Sequence, residues 1–358
     1  MSNIWGRNLR LSIFGESHGE GIGIVIDGLP AGFAPDISLI EAQMARRAPG
    51  GCLATPRKEA DRVEILSGLF KGKTTGAPLC GIIRNRDTRS SDYNQNLPRP
   101  GTADLTAYIK YKGFNDYRGG GHFSGRITAP LTFAGSMARQ ILEAKGIYIG
   151  AHILQIGEKR DEAFDRVDGD LLKALNRMDL PLINSGIAGA MNDEIIKAKE
   201  EGDSVGGIIE CASWGQPAGL GSPFFQSMES TIASMIFSIP GTKGIEFGKG
   251  FEMANMRGSR VNDEMYMDKG NISLKSNNSG GINGGITNGM PIVFRTVFRP
   301  TPSISKSQAT VNMEKGENIR LEIAGRHDPC IVPRAVVVVE SALALCLMEH
   351  LPEGGCTL

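Results

Sequence analysis

Tyr117-Arg118-Gly119-Gly120-Gly121-His122-Phe123-Ser124-Gly125-Arg126-Ile127-Thr128 is the densest gathering of chemically capable residues in this 358-residue chain. Three consecutive glycines open backbone conformations closed to other residues and let a ligand approach the main chain. The flanking arginines carry planar donor forks suited to phosphate and carboxylate. An apolar-periodic segment follows (Leu131, Phe133, Ala134, Met137, Ala138, Ile141, Leu142) and stops at Gly146. The loop therefore feeds a helix N-terminus, where unpaired N–H groups favour anions. On local grounds an ordinary glycine turn with solvated arginines is the alternative.

His18, in Gly15-Glu16-Ser17-His18-Gly19, joins two strand-like runs at 9–14 and 22–27. An imidazole there suits proton transfer, with Glu16 and Ser17 placed to set its tautomer; a plain surface-loop histidine is the competing reading. Asp328, in Gly325-Arg326-His327-Asp328-Pro329-Cys330, precedes a second helix, expected over 333–350 although the valines at 336–339 favour a strand. Arg46, Arg47, Arg57, Lys58 and Arg62 follow a helix that a capping box, Ser38 to Glu41, should open. Arg84, Arg86, Arg89 and Arg99 continue the series. Lys+Arg and Asp+Glu are both 39, so the chain has no net charge. Arginines concentrated in loops of a neutral chain point to a small multianionic substrate rather than nucleic acid.

Other chemistries lack their signatures. There is no GxxxxGK[ST], no GxSxG, no complete dinucleotide fingerprint and no His/Cys ligand spacing, so no metal is expected. Six cysteines without a CxxC pair and no secretory leader imply reduced thiols and a cytoplasmic protein. The most apolar run, 335–348, carries Glu340 and is too short for a membrane span. The 47 glycines cluster beside polar residues, as in ligand-holding loops. Residues 161–204 read as a peripheral insertion and 253–276 as a mobile loop. Strands at 147–156, 206–214 and 291–298 and a helix opened by Ser222-Pro223 complete the outline. The length suits two domains or one large intertwined one, and two glycine/arginine loops, each before a helix, suggest a duplicated architecture with a site between them.

The motifs at Gly15 to Gly19, Tyr117 to Arg126, Ser238 to Gly248, Ser276 to Ile286 and Arg326 to Cys330 resemble, in this order, those of the chorismate synthase family. The resemblance spans essentially the whole chain. It implies a single α+β domain over 1–358, a β-α-β sandwich with internal pseudo-duplication, assembled as a homotetramer. It also implies a lyase that converts 5-enolpyruvylshikimate 3-phosphate to chorismate by 1,4-anti elimination of phosphate and a ring hydrogen. Reduced FMN is required without net redox change, and an external flavin reductase is the expected source. By the same resemblance His18 protonates the departing phosphate and Asp328 lies near the flavin. Arg47 contacts substrate or NADP, and Arg126 grips substrate. His122, Phe123, Ser124, Pro240, Gly241, Gly284, Arg299, Pro300, Thr301, Pro302, Ser303 and Arg326 match FMN-contacting segments.

Two positions depart from the family pattern. Thr102 stands where many members have histidine, and His122 where many have arginine. Reduced flavin is then expected to bind as the anion, or His122 to act partly as the missing cation. A flavin- or phosphate-binding paralogue with impaired catalysis is the alternative; a structural or RNA-associated protein is disfavoured by the neutral charge.

Overall fold

A computed structural model describes residues 3–48, 61–87, 90–323 and 327–351. Alternating apolar residues build a first antiparallel sheet from β1 (Ile4–Trp5), β2 (Arg10–Gly15), β3 (Gly21–Asp27), β4 (Val63–Ser67) and β7 (Leu79–Arg84), in the order β1-β2-β3-β7-β4. A small ribbon, β5 (Leu69–Phe70) and β6 (Lys73–Thr74), sits beside it. The second antiparallel sheet orders β11 (Thr242–Phe247), β16 (Ile292–Phe298), β10 (Gly207–Trp214), β8 (Tyr148–Ile156) and β9 (Lys159–Arg160). Three two-stranded ribbons complete the strands: β12 (Met265–Asp268) with β13 (Asn271–Leu274), β14 (Ile282–Asn283) with β15 (Ile286–Thr287), and β17 (Gln308–Asn312) with β18 (Glu317–Leu321).

Between the sheets lie α1 (Ile37–Arg47), α3 (Thr128–Glu143), α6 (Met228–Ser238) and α8 (Val332–His350), while α2 (Asp104–Tyr111), α4 (Gly169–Leu175), α5 (Ala188–Glu200) and short α7 (Gly258–Val261) lie elsewhere. Helix α3 packs on β3 and β7 of one sheet and on α8; α8 packs on β8 and β10 of the other. This is the expected α+β sandwich of sheet, helices and sheet. Both central helices are apolar nearly all round because both are enclosed. Gly135 lets their backbones meet: a Cβ there would stand 2.2 Å from the Cβ of Ser341. The valines at 336–339 are helical after all, since burial on every side outweighs their strand preference.

Inside this layer Glu340 is fully buried and accepts from Arg46 Nη1 (2.6 Å), Arg139 Nη1 (3.1 Å) and the Ala151 N–H (3.1 Å). One carboxylate thus ties α1, α3, β8 and α8 together. At the other end of α8, Glu349 accepts from the N–H groups of Arg7 (2.8 Å), Asn8 (3.0 Å) and Leu9 (2.8 Å). Glu349→Ala would leave those donors unpaired; it is expected to lower stability by about 3 kcal/mol, read as a lower urea midpoint. An unchanged midpoint would show that water replaces the clamp.

Local starts differ from expectation in two places. Helix α1 is capped by Asp36, whose Oδ1 accepts from the N–H groups of Ser38 (2.8 Å) and Leu39 (3.4 Å), so Ser38 lies inside the helix. Helix α6 is capped by Ser227, and Ser222-Pro223 precedes only a short 3₁₀ turn. Segment 161–204 carries α4 and α5 onto β8. Asp161 and Glu210 flank the buried His152 at 3.6 and 3.0 Å. Segment 253–276 contains α7 and the β12–β13 ribbon, whose Met265, Met267 and Ile272 are exposed. Among the described residues no helix is long and apolar enough to cross a membrane.

Candidate functional site

His18 and Asp328 come from opposite ends of the chain, and two arcs of contacts join them into a ring. The first arc starts at the 15–19 turn. Asn85 Nδ2 donates to the carbonyls of Glu16 and Gly19, both at 2.9 Å, and its Oδ1 accepts from Arg126 Nε at 2.5 Å. Arg126 Nη1 donates to Asp61 Oδ1 (2.7 Å), whose other oxygen takes Arg47 Nε (3.0 Å). Arg334 Nε donates to the Arg47 carbonyl (2.9 Å), and its Nη1 to Asp328 Oδ2 (2.5 Å).

The second arc runs over the opposite side. His18 Nδ1 stands 3.3 Å from Ser90 Oγ, and its ring meets Tyr93 edge-on at 5.2 Å. Arg99 lies over the Tyr93 ring at 4.9 Å, is gripped by both oxygens of Asp104 (2.7 and 2.8 Å), and donates to Ser303 Oγ at 3.4 Å. Arg299 bridges Gly101 O through Nη1 (2.8 Å) and Gly241 O through its backbone N–H (3.0 Å). Ile331 packs against Gly241, three residues from Asp328.

The glycine loop lines the ring between the arcs. Ser17 N–H donates to Gly121 O (3.1 Å), Ser17 Oγ to Gly119 O (3.0 Å), and His122 Nδ1 donates to Gly15 O (2.8 Å). Gly119 has φ 61°, and a Cβ on it would fall 2.4 Å from the His18 ring. Gly119→Ala is expected to cost about 1–2 kcal/mol and to cut activity more than its stability loss explains, by displacing His18. Urea denaturation beside turnover separates the two effects; equal losses would deny the contact its importance.

The first arc carries three guanidiniums, of Arg47, Arg126 and Arg334, against the carboxyls of Asp61 and Asp328. Burial draws Arg47 down to about 10, partly opposed by Asp61, with Arg334 and Arg126 adding repulsion; it stays cationic at neutral pH. Burial pushes Asp61 up, but Arg47 and Arg126 outweigh it and hold the carboxyl below its ordinary range. At Asp328 burial wins over Arg334, so its pKa is raised. Among the described residues its buried Oδ1 has no hydrogen-bond partner, and neither does the buried Oγ1 of Thr301, two residues from Ser303. The first arc therefore sets three guanidiniums against two carboxyls, a donor set suited to anions, with Asp328 at one end of the ring and the His18 imidazole at the other.

Of the residues expected from sequence, His18, Arg47, His122, Arg126, Gly241, Asp328, Arg299 and Ser303 take part in these contacts, and Phe123, Ser124, Pro240, Pro300, Thr301 and Pro302 adjoin them in the chain. Gly284 does not. It adjoins the start of α6, where the Met228 N–H donates to Gly285 O (2.9 Å), whereas Pro240 and Gly241 follow the far end of that helix, about 16 Å away. Arg326, Arg57, Lys58 and Arg89 lie outside the described residues. Arg46 and Arg84 serve ion pairs, with Glu340 and Glu64. Thr102 is spent on a turn: its hydroxyl donates to Arg99 O (2.9 Å) and accepts the Asp104 N–H (3.2 Å).

Asp61, Asn85, Tyr93, Asp104 and Arg334 were not anticipated. Two had a signal. Asp61 is an acid set among Arg57, Lys58 and Arg62, and Arg334 is a cation in the first turn of a helix, against the helix dipole. Each needed a partner of opposite charge.

A family model described as "Chorismate synthase" matches residues 9–351. The chain is 48% identical over 352 residues to a chorismate synthase of Korarchaeum cryptofilum, covering 98% of this chain and 97% of the relative. It is 45% identical over 348 residues to that of Thermococcus kodakarensis, covering 97% and 96%. A solved structure titled "Crystal Structure of Chorismate Synthase" superposes with a TM-score of 0.76 at 32% identity, covering 97% of this chain and 92% of that one.

Proposed function

The chain belongs to the chorismate synthase family, and from that premise we propose that the ring between His18 and Asp328 is its active site. The reaction is the 1,4-anti elimination of phosphate and a ring hydrogen from 5-enolpyruvylshikimate 3-phosphate, which gives chorismate in the shikimate pathway to aromatic amino acids. The observation that carries this reading is the convergence of Arg47, Arg126 and Arg334 on one wall, with His18 and Asp328 at its ends. A substrate with one phosphate and two carboxylates needs that many cations at close range, with no net charge on the protein as a whole.

His18 supplies a proton to the departing phosphate; Ser90 and Tyr93 fix the plane of its ring. Asp328, its pKa raised by burial, is the carboxyl placed to take up a proton at the other end. Reduced FMN fits the second arc: the orphaned oxygens of Asp328 and Thr301, the open glycine loop and Arg299 suit a planar ring bearing N–H groups and a phosphate. The segments at 122–124, 240–241 and 299–303 would hold it. When bound, it supplies an electron-rich ring that eases expulsion of the phosphate. The closely packed loops keep water from the charged groups, which strengthens each of these contacts. The reading of an impaired paralogue finds no support: Thr102 orders the turn that presents Arg99, so the position keeps a task in the site. Reduced flavin would come from a separate reductase, in a cytoplasmic homotetramer.

The test is anaerobic. Protein mixed with photoreduced FMN and 5-enolpyruvylshikimate 3-phosphate should release chorismate and phosphate in equal amounts, and neither without reduced flavin. Release of phosphate without chorismate would overturn the assignment.

A further inference from the structure

Helix α3 packs on one face of the β1-β2-β3-β7-β4 sheet, where its Phe133 ring stands against Gly81 of β7. Side chains alternate along each strand, so the register fixes which residues form the opposite, outer face. One row across the sheet reads Ile4, Ser12, Val25, Cys80 and Ser67. The next reads Phe14, Gly23, Ile82 and Glu64. An antiparallel sheet with one face in water carries polar residues on that face. Here the middle of the outer face is apolar. Ile4 is 63% exposed and Phe14 38%, while Val25, Cys80 and Ile82 are half-buried. The Phe14 ring lies over Gly23, where a Cβ would stand 2.5 Å from it. Charge lies at the margins: Arg10 is directly opposite Asp27, and Arg84 pairs with Glu64 at 3.4 Å.

We propose that a second copy of this chain docks on this outer face, sheet against sheet about a two-fold axis. The charge pattern selects that occupant. Two cations and two carboxylates at the margins leave no surplus of either sign to hold a nucleic acid or an anionic membrane. The same balance lets the face meet its own two-fold image, an apolar middle against an apolar middle within a charged rim. The small central side chains, Ser12, Val25 and Cys80, allow another sheet to approach to the ~10 Å spacing of stacked sheets. Five strands about 4.8 Å apart and roughly six residues long make a face of roughly 500 Å², more than half of the ~800 Å² that each partner buries in a standard interface. The inference names a contact for the assembly proposed above. If the active-site reading also holds, the docked copy braces β2 and β3, the strands that enter and leave the turn carrying His18.

Sedimentation velocity and light scattering on the full chain at about 10 µM should give a multiple of 38.3 kDa. Val25→Lys puts a charge at the centre of the face. Ser12→Lys puts one at a neighbouring position that is already polar, and so threatens the fold of the single chain less. Each variant should sediment as one 38.3 kDa chain and still unfold cooperatively in urea, because an ammonium buried between two sheets has no partner. Cys80 gives an independent reading. Its labelling by iodoacetamide, followed by peptide mass spectrometry, should be about tenfold slower in the wild-type assembly than in the Ser12→Lys chain, whose lysine is two strands away from the thiol. Should Val25→Lys fail to fold, Ser12→Lys decides. A wild-type chain that sediments at 38.3 kDa, or an assembly that survives in the folded variants, would overturn the proposal. So would equal labelling of Cys80 in both states; if it is equally slow, a segment of the same chain covers the face. Mass and labelling are read without turnover, so failure here is distinct from failure of the catalytic reading.

Discussion

Replacing His18 by Ala is expected to lower kcat about 10²- to 10⁴-fold with the urea midpoint nearly unchanged. The size follows from the loss of a positioned proton donor, and the small stability effect from where His18 sits. It is half-buried, at the rim of the ring, held through one nitrogen by Ser90 and through its edge by Tyr93. The arginines would still hold substrate, so KM should move far less than kcat. The limb of the pH–rate profile that requires a protonated imidazole should disappear with the side chain. Anaerobic steady-state kinetics across pH reads all three quantities. A loss below tenfold, or a profile with both limbs intact, would remove His18 from the proton transfer.

The second large effect is on folding. Asp61→Asn should destabilise the protein by about 3–5 kcal/mol, since it leaves two guanidiniums facing each other without a counter-charge. Arg47 and Arg126 are 3% and 6% exposed, so water cannot replace the carboxylate. The sign with pH is fixed by the direction of the shift. Asp61 titrates lower in the folded chain than unfolded, so its contribution is complete above the ordinary carboxylate range, about pH 4, and is lost as pH falls through the lowered folded value. Wild-type stability should therefore fall steeply in acid, and the Asn variant should show a flatter curve. Parallel acid curves for the two proteins would mean that Asp61 is not the hinge of the arginine wall.

What the sequence disclosed and what it withheld divide along one physical line. Residues whose neighbours are close in sequence were legible: the glycine loop before α3, the 15–19 turn between β2 and β3, and the late helix α8. The arginines were visible as a class, but their partners were not. Arg46 and Arg47 are adjacent, yet one runs under α8 to Glu340 and the other turns to Asp61. Nothing in their local sequence separates them, because the distinction is made by residues far along the chain. Gly284 shows the converse. Its glycine-rich surroundings look like those of the loop at 119–121, but it adjoins the start of α6, the opposite end of that helix from Pro240 and Gly241.

Helix α8 is synthesised after every other element it packs on, and it fills the centre of the molecule. The sheet of β8 and β10 therefore emerges without the helix that covers it, and neither arc of the ring can close until Asp328, Ile331 and Arg334 have been made. Contacts spanning about 340 positions make the search for the native state slow. A nascent chain paused before α8 would leave the face of β8 and β10 that α8 covers open to water and would depend on chaperones to stay in solution. The site gains its two ends, His18 and Asp328, in the same late event, so activity and solubility should appear together during biosynthesis.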